Sequence, residues 1–234
     1  MTRLVLASDA WPNGEAREDF LLAWALGAIQ LQGGALIPPY SCEMMVYRRP
    51  AQGALVQVES RAVGDLHVVD LSDGQGPVTT VELSPGSASA EPTTLDRLQN
   101  LTASMTPIQG KRSFIREVGM RGWLSDLSGI SGHHSVPADA YVRWTLDLLH
   151  SVLSDWGGPL QMPALTRLSL QCLTPFPMEV GGLAANVTAR LLARDRSSTL
   201  WKVGIDSHPG PWAELSAVVD LSQGWVDVIE QQNR

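Results

Sequence analysis

The sequence predicts an α+β fold of two similar units, each with a long central helix wrapped by an antiparallel β-sheet. Two segments, residues 20–32 and 138–153, are apolar on almost every face, as expected of helices that are covered on all sides. Each is followed by a Gly-Gly pair, at 33–34 and 157–158, and then by four short strand-like runs. Because this order of elements occurs twice, roughly 125 to 130 residues apart, it indicates an internal repeat.

The first unit is expected to span residues 1–83. Its helix begins after Asn13, Gly14 and Glu15, and acidic side chains occupy the first turn, where the helix dipole favours them. Turn signals at 50–53 and 72–74 separate the runs that follow. We therefore expect an antiparallel meander after the helix, with strands at residues 36–48, 54–63, 66–71 and 78–83.

A small, polar segment rich in Pro and Gly begins at residue 84 and predicts a linker over residues 84–111. The second unit, residues 112–234, then repeats the plan of the first. A strand and a loop precede its helix, and four strands follow the helix. The strands are expected at residues 113–124, 164–173, 182–193, 198–205 and 213–221.

The second helix has one narrow polar stripe. Helical spacing places Asp139, Arg143, Asp147 and His150 on a single side, and the other sides are apolar. A helix in a bundle normally keeps a broader polar face. The pattern therefore favours a helix that is mostly enclosed by a curved sheet.

Composition excludes several classes of function. A net charge of -7 makes nucleic acid an unlikely partner for this chain, because phosphate binding needs clustered cations. The N-terminal segment lacks the apolar core of a signal peptide, and no apolar stretch is long enough to span a membrane. Cys42 and Cys172 lie in apolar runs as free thiols, which fits a cytoplasmic protein.

No cofactor and no metal are expected. His67, His150 and His208 lie far apart, without Cys or acidic residues at the spacing of zinc ligands. Neither of the Gly-rich phosphate-binding patterns, G-x-x-x-x-G-K or G-x-G-x-x-G, is present.

The stretch from Ser128 to Tyr141 carries a family resemblance. Gly132, Pro137 and Tyr141 fit a pattern, His-x3-Gly-x4-Pro followed by a small residue and Tyr, that precedes the central helix in double-hotdog dehydratases. The chain thus resembles the hotdog superfamily, and its plan of two units is similar to that of polyketide synthase dehydratase domains and acyl-CoA thioesterases. The resemblance implies a double-hotdog fold over nearly the whole chain and an acyl-thioester or polyketide-type substrate.

The positions of the family's catalytic pair differ in this sequence. Ser128 stands where the pattern has its histidine. Ala23 and Gly27 stand where the partner helix has Asp and Gln or His, with Asp19 one turn earlier, and the half that resembles the family's second unit comes first. The resemblance therefore implies isomerisation or cyclisation more readily than the elimination of water.

Five residues are candidates for catalysis. His133 and His134 have the residue type for a general acid or base near neutral pH, although a pair of solvated loop histidines explains them equally well. Asp147 and Asp126 are candidate acids for a thioesterase mechanism. A salt link from Asp147 to Arg143 and a capping role for Asp126 are the structural alternatives. Ser128 could donate a hydrogen bond, but no base is fixed beside it by sequence.

The remaining interpretations concern binding. Gly132, Pro137, Tyr141 and Trp24 are expected to line the acyl site, and the partner is expected to be an acyl-CoA or an acyl group on a carrier protein. A monomer or a homodimer fits this plan. Three functions stay open: a dehydratase-like isomerase or cyclase, a thioesterase, and a non-catalytic acyl-binding or scaffold protein. Candidate cations for phosphate binding are Arg48, Arg49, Lys111, Arg112, Arg116 and Arg121.

Overall fold

The computed structural model of the protein describes residues 1–33, 37–86, 105–108, 113–119, 136, 138–155, 164–174, 184–207 and 210–220. Two α-helices lie in these ranges, α1 (Glu18–Leu31) and α2 (Ala138–Asp155), and a 3-10 turn (Ala7–Asp9) precedes α1. The strands around α1 are β1 (Thr2–Leu4), β2 (Tyr40–Val46), β3 (Leu55–Val63), β4 (Leu66–Asp73) and β5 (Gly76–Pro85). Those farther along are β6 (Thr106–Pro107), β7 (Ser113–Gly119), β8 (Ala164–Cys172), β9 (Ala184–Arg194), β10 (Ser198–Ser207) and β11 (Gly210–Asp220).

The described strands form one antiparallel sheet. Its order is β1, β3, β4, β5, β2, β8, β11, β10, β9 and β6, and β7 also pairs with β9. The strands of the first unit thus occupy one half of the sheet and those of the second unit occupy the other. The two halves meet where β2 pairs with β8.

An approximate two-fold axis passes through the β2–β8 pair. Tyr40 lies opposite Cys172, and Cys42 lies opposite Leu170. A shift of about 130 residues converts Tyr40 into Leu170 and Cys42 into Cys172, so it exchanges these two pairs. The repeat seen in the sequence is therefore also a symmetry of the strand pairing.

Both helices contribute to a single hydrophobic core together with the strands of the sheet. Most positions of α1 and α2 are buried, because each helix is covered by strands on some sides and by the other helix on another. In each helix one stripe is only half-buried. In α1 this stripe is formed by Phe20, Ala23, Gly27 and Gln30, and in α2 it is formed by Asp139, Arg143 and Asp147.

The structure confirms the predicted fold class: an α+β architecture with long buried helices against an antiparallel sheet. The predicted helices end within about two residues of the observed ones. The sequence reading missed β1, a three-residue strand that pairs with β3. Within the described ranges, neither helix has the length and hydropathy to cross a membrane.

The predicted division into residues 1–83, 84–111 and 112–234 stays a prediction. β5 continues to Pro85, and the short β6 pairs with β9 of the second half. Residues 87–104 and 109–112 lie outside the described part of the chain.

Candidate functional site

Ion pairs connect the two helices across their contact. The Arg143 Nε atom of α2 donates to Asp19 Oδ2 of α1 at 2.7 Å, and the Arg17 guanidinium donates to Asp147 Oδ1 at 3.2 Å. From the first pair of partners, Arg17 and Asp147, to the second, Asp19 and Arg143, the residue number rises on the α1 side and falls on the α2 side. The helices therefore run antiparallel. The site is therefore built from both units of the repeat.

Aromatic rings flank these ion pairs. The Arg17 guanidinium lies 4.3 Å from the centre of the Trp11 ring, and Arg143 lies 4.9 Å from that of Phe20. The ring of His150, at the far end of the polar stripe of α2, is 6.2 Å from Trp11. Such contacts restrict the rotamers of both arginines. The cations are thus held in place by stacking as well as by charge.

Asp19 is the central acceptor of this cluster. Its side chain is only 1% exposed, and it also accepts a hydrogen bond from Arg17 Nε at 3.0 Å. A buried carboxylate is tolerated when cations and hydrogen bonds compensate for the lost water. Arg17 and Arg143 provide that compensation, one from each side.

Asp139 lies in the first turn of α2 and is one turn away from Arg143 on the same side of the helix. Burial raises the pKa of Asp139 to about 6. Its own backbone N–H and Arg143 lower this pKa, whereas the negative charge of Asp19 raises it. A carboxyl group with a pKa near 6 changes its protonation state close to neutral pH, as a general acid or base requires.

Asp147, the acid singled out from the sequence, has a different environment. Its side chain is 39% exposed and forms an ion pair with Arg17. The sequence offered Arg143 as its structural partner, one turn earlier, but Arg143 donates to Asp19 instead. Arg116 of β7 donates to the backbone carbonyl of Asp147 at 3.4 Å. The catalytic role of Asp147 stays a prediction.

Next to Asp19 in sequence, Glu18 carries a second buried carboxylate. Glu18 is fully buried and accepts hydrogen bonds from Trp11 Nε1 at 3.0 Å and from the backbone N–H of Leu165 in β8 at 3.1 Å. Arg49 Nη1 is 3.8 Å from Glu18 Oε1. Burial raises the pKa of Glu18, and Arg49 and the hydrogen bonds offset only part of that effect. Glu18 thus joins α1 of the first unit to a strand of the second.

Tyr141 and Trp24, expected to contact substrate, are both buried. Tyr141 is 1% exposed and packs edge-on against Trp144, with ring centroids 5.7 Å apart. Burial raises the pKa of the Tyr141 hydroxyl, and the neighbouring Cys172 adds to this. Trp24 lies in the core cluster on α1. Their place in an acyl site stays a prediction.

The other predicted site residues lie outside the described part of the chain: Asp126, Ser128, Gly132, His133, His134 and Pro137. Pro137 directly precedes α2, whose first turn carries Asp139. In sequence, His133 and His134 therefore lie a few residues before the end of α2 at which Asp139 is found.

Two of the predicted phosphate-binding cations form ion pairs. Arg48 pairs with Asp73, and Arg49 pairs with Glu15 at 2.8 Å. Lys111, Arg112 and Arg121 lie outside the described ranges. In the ranges that are described, no group of three or more His, Cys, Asp and Glu side chains is arranged to hold a metal ion.

The polar stripe of α2 is visible in the sequence, where Asp147 is the candidate acid on it. Sequence reasoning missed Asp139 as a candidate acid, although the helix start next to Pro137 was a usable signal. In the sequence, Arg17 and Glu18 indicate only the start of a helix. Their partners, Asp147 and Leu165, are more than a hundred residues away, so no local pattern reveals them.

Comparisons with solved structures agree with this architecture. A protein from Lactobacillus plantarum assigned as an oleoyl thioesterase has a TM-score of 0.65 and 14% identity, with 94% of this chain and 95% of that chain covered. The 12:0-ACP thioesterase from Umbellularia californica has a TM-score of 0.63 and 10% identity, with 95% and 93% covered. A conserved protein with a hotdog fold from Alicyclobacillus acidocaldarius has a TM-score of 0.58 and 11% identity, with 94% and 92% covered.

These matches define the class of fold. The chain has the hotdog fold, and its two helix-and-sheet units make it a double hotdog. No protein-family model matches the sequence, and no curated protein matches it.

Proposed function

We propose that the protein hydrolyses acyl thioesters and that Asp139 is the general base. The observation that supports this most directly is the placement of Asp139 in the first turn of α2, beside a cluster of charges contributed by both units. Asp147 is less suited to the task because it is already paired with Arg17.

The proposed reaction follows from this placement. The Asp139 carboxylate takes a proton from a water molecule, and the resulting hydroxide attacks the carbonyl carbon of the thioester. The partial positive charge at the N-terminus of α2 stabilises the negative charge that develops on the carbonyl oxygen. The C–S bond then breaks, and the thiolate leaves with the proton that Asp139 carries. The products are a carboxylic acid and a free thiol.

Two of the compared structures support this substrate class, because they are described as thioesterases and match almost the full length of the chain. We propose that coenzyme A or an acyl carrier protein delivers the acyl group. We also propose that the protein works in the cytoplasm, as a monomer whose two units pair with each other or as a homodimer.

A dehydratase-like isomerase or cyclase is the second candidate. It is favoured by the sequence frame of Gly132, Pro137 and Tyr141, combined with Ser128 at the histidine position of the dehydratase pattern. In that case Asp139, or His133 or His134, moves a proton on the carbon next to the thioester carbonyl. The C–S bond stays intact, so no thiol is released.

Thiol release separates these functions. The intact protein is assayed with a thiol reagent on acyl-CoA and acyl-carrier-protein substrates of several chain lengths, and the products are identified by mass spectrometry. We expect thiol and fatty acid in equal amounts from the wild type. In Asp139→Asn we expect the rate to fall by about 10²- to 10⁴-fold, the usual contribution of a general base. Glu214→Gln is the control, since it removes one carboxylate from an exposed pair with Lys202.

Three results would contradict hydrolysis by Asp139. Full activity in Asp139→Asn would show that another residue is the general base. Asp147→Asn and His133→Ala would then be assayed next. Conversion of the acyl group without thiol release would favour the isomerase or cyclase. Binding of acyl-CoA without any conversion would favour an acyl-binding protein.

A further inference from the structure

Asp139 and Asp19 compete for the same cation. Asp139 and Arg143 are four residues apart on one side of α2, with the acid nearer the N-terminus, which is the favourable orientation for an ion pair within a helix. In the structure, however, Arg143 Nε donates to Asp19 Oδ2 at 2.7 Å. The cation that would otherwise neutralise Asp139 is therefore bound by a residue of the other unit.

We propose that Asp19 of the first unit is a positioning residue for Asp139 of the second: by binding Arg143, it leaves the Asp139 carboxyl group free to exchange a proton. This inference rests on the proposed role of Asp139 in hydrolysis. It assigns a task to the first unit, which otherwise contributes no acid or base to the reaction. It also explains why a residue at the start of α1 is 1% exposed and yet charged.

The geometry of Arg17 supports this assignment. Arg17 donates to Asp19 at 3.0 Å and to Asp147 at 3.2 Å, and its guanidinium stacks on Trp11. It thereby fixes the Asp19 carboxylate from the side opposite to Arg143. Asp19 is held by two cations and is not free to turn away from Arg143.

The charged surroundings of Asp139 come from each element that packs against α2. Among the described residues, those that act on Asp139 are Asp19 from α1 and Arg143 from its own helix. Arg116 of β7 contacts the carbonyl of Asp147, two turns away. The other side chains of these elements that carry a formal charge or an imidazole are Glu18 on α1 with Arg17 just before it, Asp147, His150 and Asp155 on α2, Glu117 on β7, and Arg190 and Arg194 on β9.

The test measures the protonation of Asp139 directly. The carboxyl carbons of aspartate are labelled with ¹³C in the full chain, the Asp139 signal is identified by its loss in Asp139→Asn, and its titration is followed by NMR. In Asp19→Asn we expect the midpoint to fall by about one pH unit or more, because the Asp19 charge that raises this pKa is gone and Asp19 no longer binds Arg143. In Arg143→Gln we expect it to rise. Glu214→Gln should leave it unchanged.

The pH dependence of kcat/KM gives an independent reading. In Asp19→Asn the acidic limb of the profile should move to lower pH together with the NMR midpoint. In the Arg143→Gln background, adding Asp19→Asn should shift the midpoint less than it does in the wild type, since the competition is gone. If Asp19→Asn does not fold, the expected rise of the Asp139 titration midpoint in Arg143→Gln tests the proposal by itself.

An unchanged midpoint in Asp19→Asn, or in Arg143→Gln, would overturn the proposal. An equal shift in Glu214→Gln would also overturn it, because the effect would then be one of net charge alone. These outcomes are distinct from a failure of the proposed function. If the midpoints move as expected but no acyl thioester is hydrolysed, hydrolysis is wrong and the competition for Arg143 stands.

Discussion

Glu18 and Asp139 are two acidic residues at helix starts, and burial raises the pKa of each. Their partners differ. The Glu18 carboxylate accepts hydrogen bonds from Trp11 and Leu165, so its oxygens are engaged by the protein. Asp139 lies one turn from an arginine that is bound elsewhere. At the level of single residues, Glu18 therefore has the contacts of a structural group, and Asp139 is the acid to which we assign proton exchange with a substrate.

The proposed role of Asp139 predicts a pH dependence. Its pKa is raised to about 6, and a general base acts in its deprotonated form. We therefore expect kcat/KM to rise about tenfold per pH unit below pH 6 and to level off above it. The measurement is thiol release between pH 4.5 and 8. A profile that is flat through pH 6, with the protein folded throughout, would remove Asp139 as the base.

Glu18 predicts a pH dependence of stability. Because the pKa of Glu18 is raised in the folded state, the folded protein binds a proton there more readily than the unfolded chain does. The stability contributed by this group is thus present at low pH and is lost as the pH rises through its folded-state pKa. Relative to Glu18→Gln, the wild type should have a free energy of unfolding that decreases from pH 4 to pH 7.

Urea denaturation of both proteins across that range measures the difference. Each unit by which the folded-state pKa exceeds the unfolded-state value corresponds to about 1.4 kcal/mol. A Glu15→Gln variant is a useful comparison, since Glu15 also pairs with Arg49 but is 41% exposed. A difference between wild type and Glu18→Gln that does not change with pH would show that Glu18 has the same pKa in both states.

At the scale of helices and strands, the sequence was informative because burial leaves a periodic pattern. α2 was predicted at residues 138–153 from its apolar sides and is observed at Ala138–Asp155. The strands were predicted from β-branched runs between turn signals. β1 was missed because three residues, all exposed, carry no pattern of burial. The ion pairs were missed because the partners of Arg17 and Glu18 are brought together only by the packing of two units.

Gly27 gives a prediction for α1. It lies inside this helix, and a Cβ atom built there would meet no atom within 4 Å. Glycine inside a helix costs about 0.5–1 kcal/mol relative to alanine. Gly27→Ala should therefore raise the free energy of unfolding by about that amount, as measured by urea denaturation.

Gly53→Ala is the matched control for this variant. Gly53 also has open space around it, but its φ of 84° lies in the left-handed region, where an alanine is strained. Gly53→Ala should therefore destabilise the protein, so the two substitutions should change the free energy of unfolding in opposite directions. Destabilisation by Gly27→Ala would contradict the open space beside α1 at this position.

The whole molecule is organised around the β2–β8 pair. The same pairing that makes one sheet from two halves places α1 and α2 side by side, and the charged cluster lies where they touch. The repeat was visible in the sequence, with Cys42 and Cys172 as corresponding positions. Which strands meet at the centre was not visible, because two units with identical element order can pair through more than one edge.

This arrangement predicts that the two units unfold together. The connections between them include the β2–β8 ladder, the Glu18–Leu165 hydrogen bond and the ion pairs Asp19–Arg143 and Arg17–Asp147. Because separating the units would expose the core they share, neither unit should be stable once the other has unfolded. We expect one calorimetric transition whose calorimetric and van't Hoff enthalpies agree.

Leu170→Ala tests this coupling from one side. Leu170 is fully buried on β8, opposite Cys42 of β2, and its truncation should cost about 2–5 kcal/mol. If the units are coupled, hydrogen exchange should accelerate to a similar extent in the most protected amides of β4 and of β10, although only the second unit is altered. Faster exchange confined to β10, or two separate transitions on heating, would mean that each unit folds by itself and that the helix contact forms only afterwards.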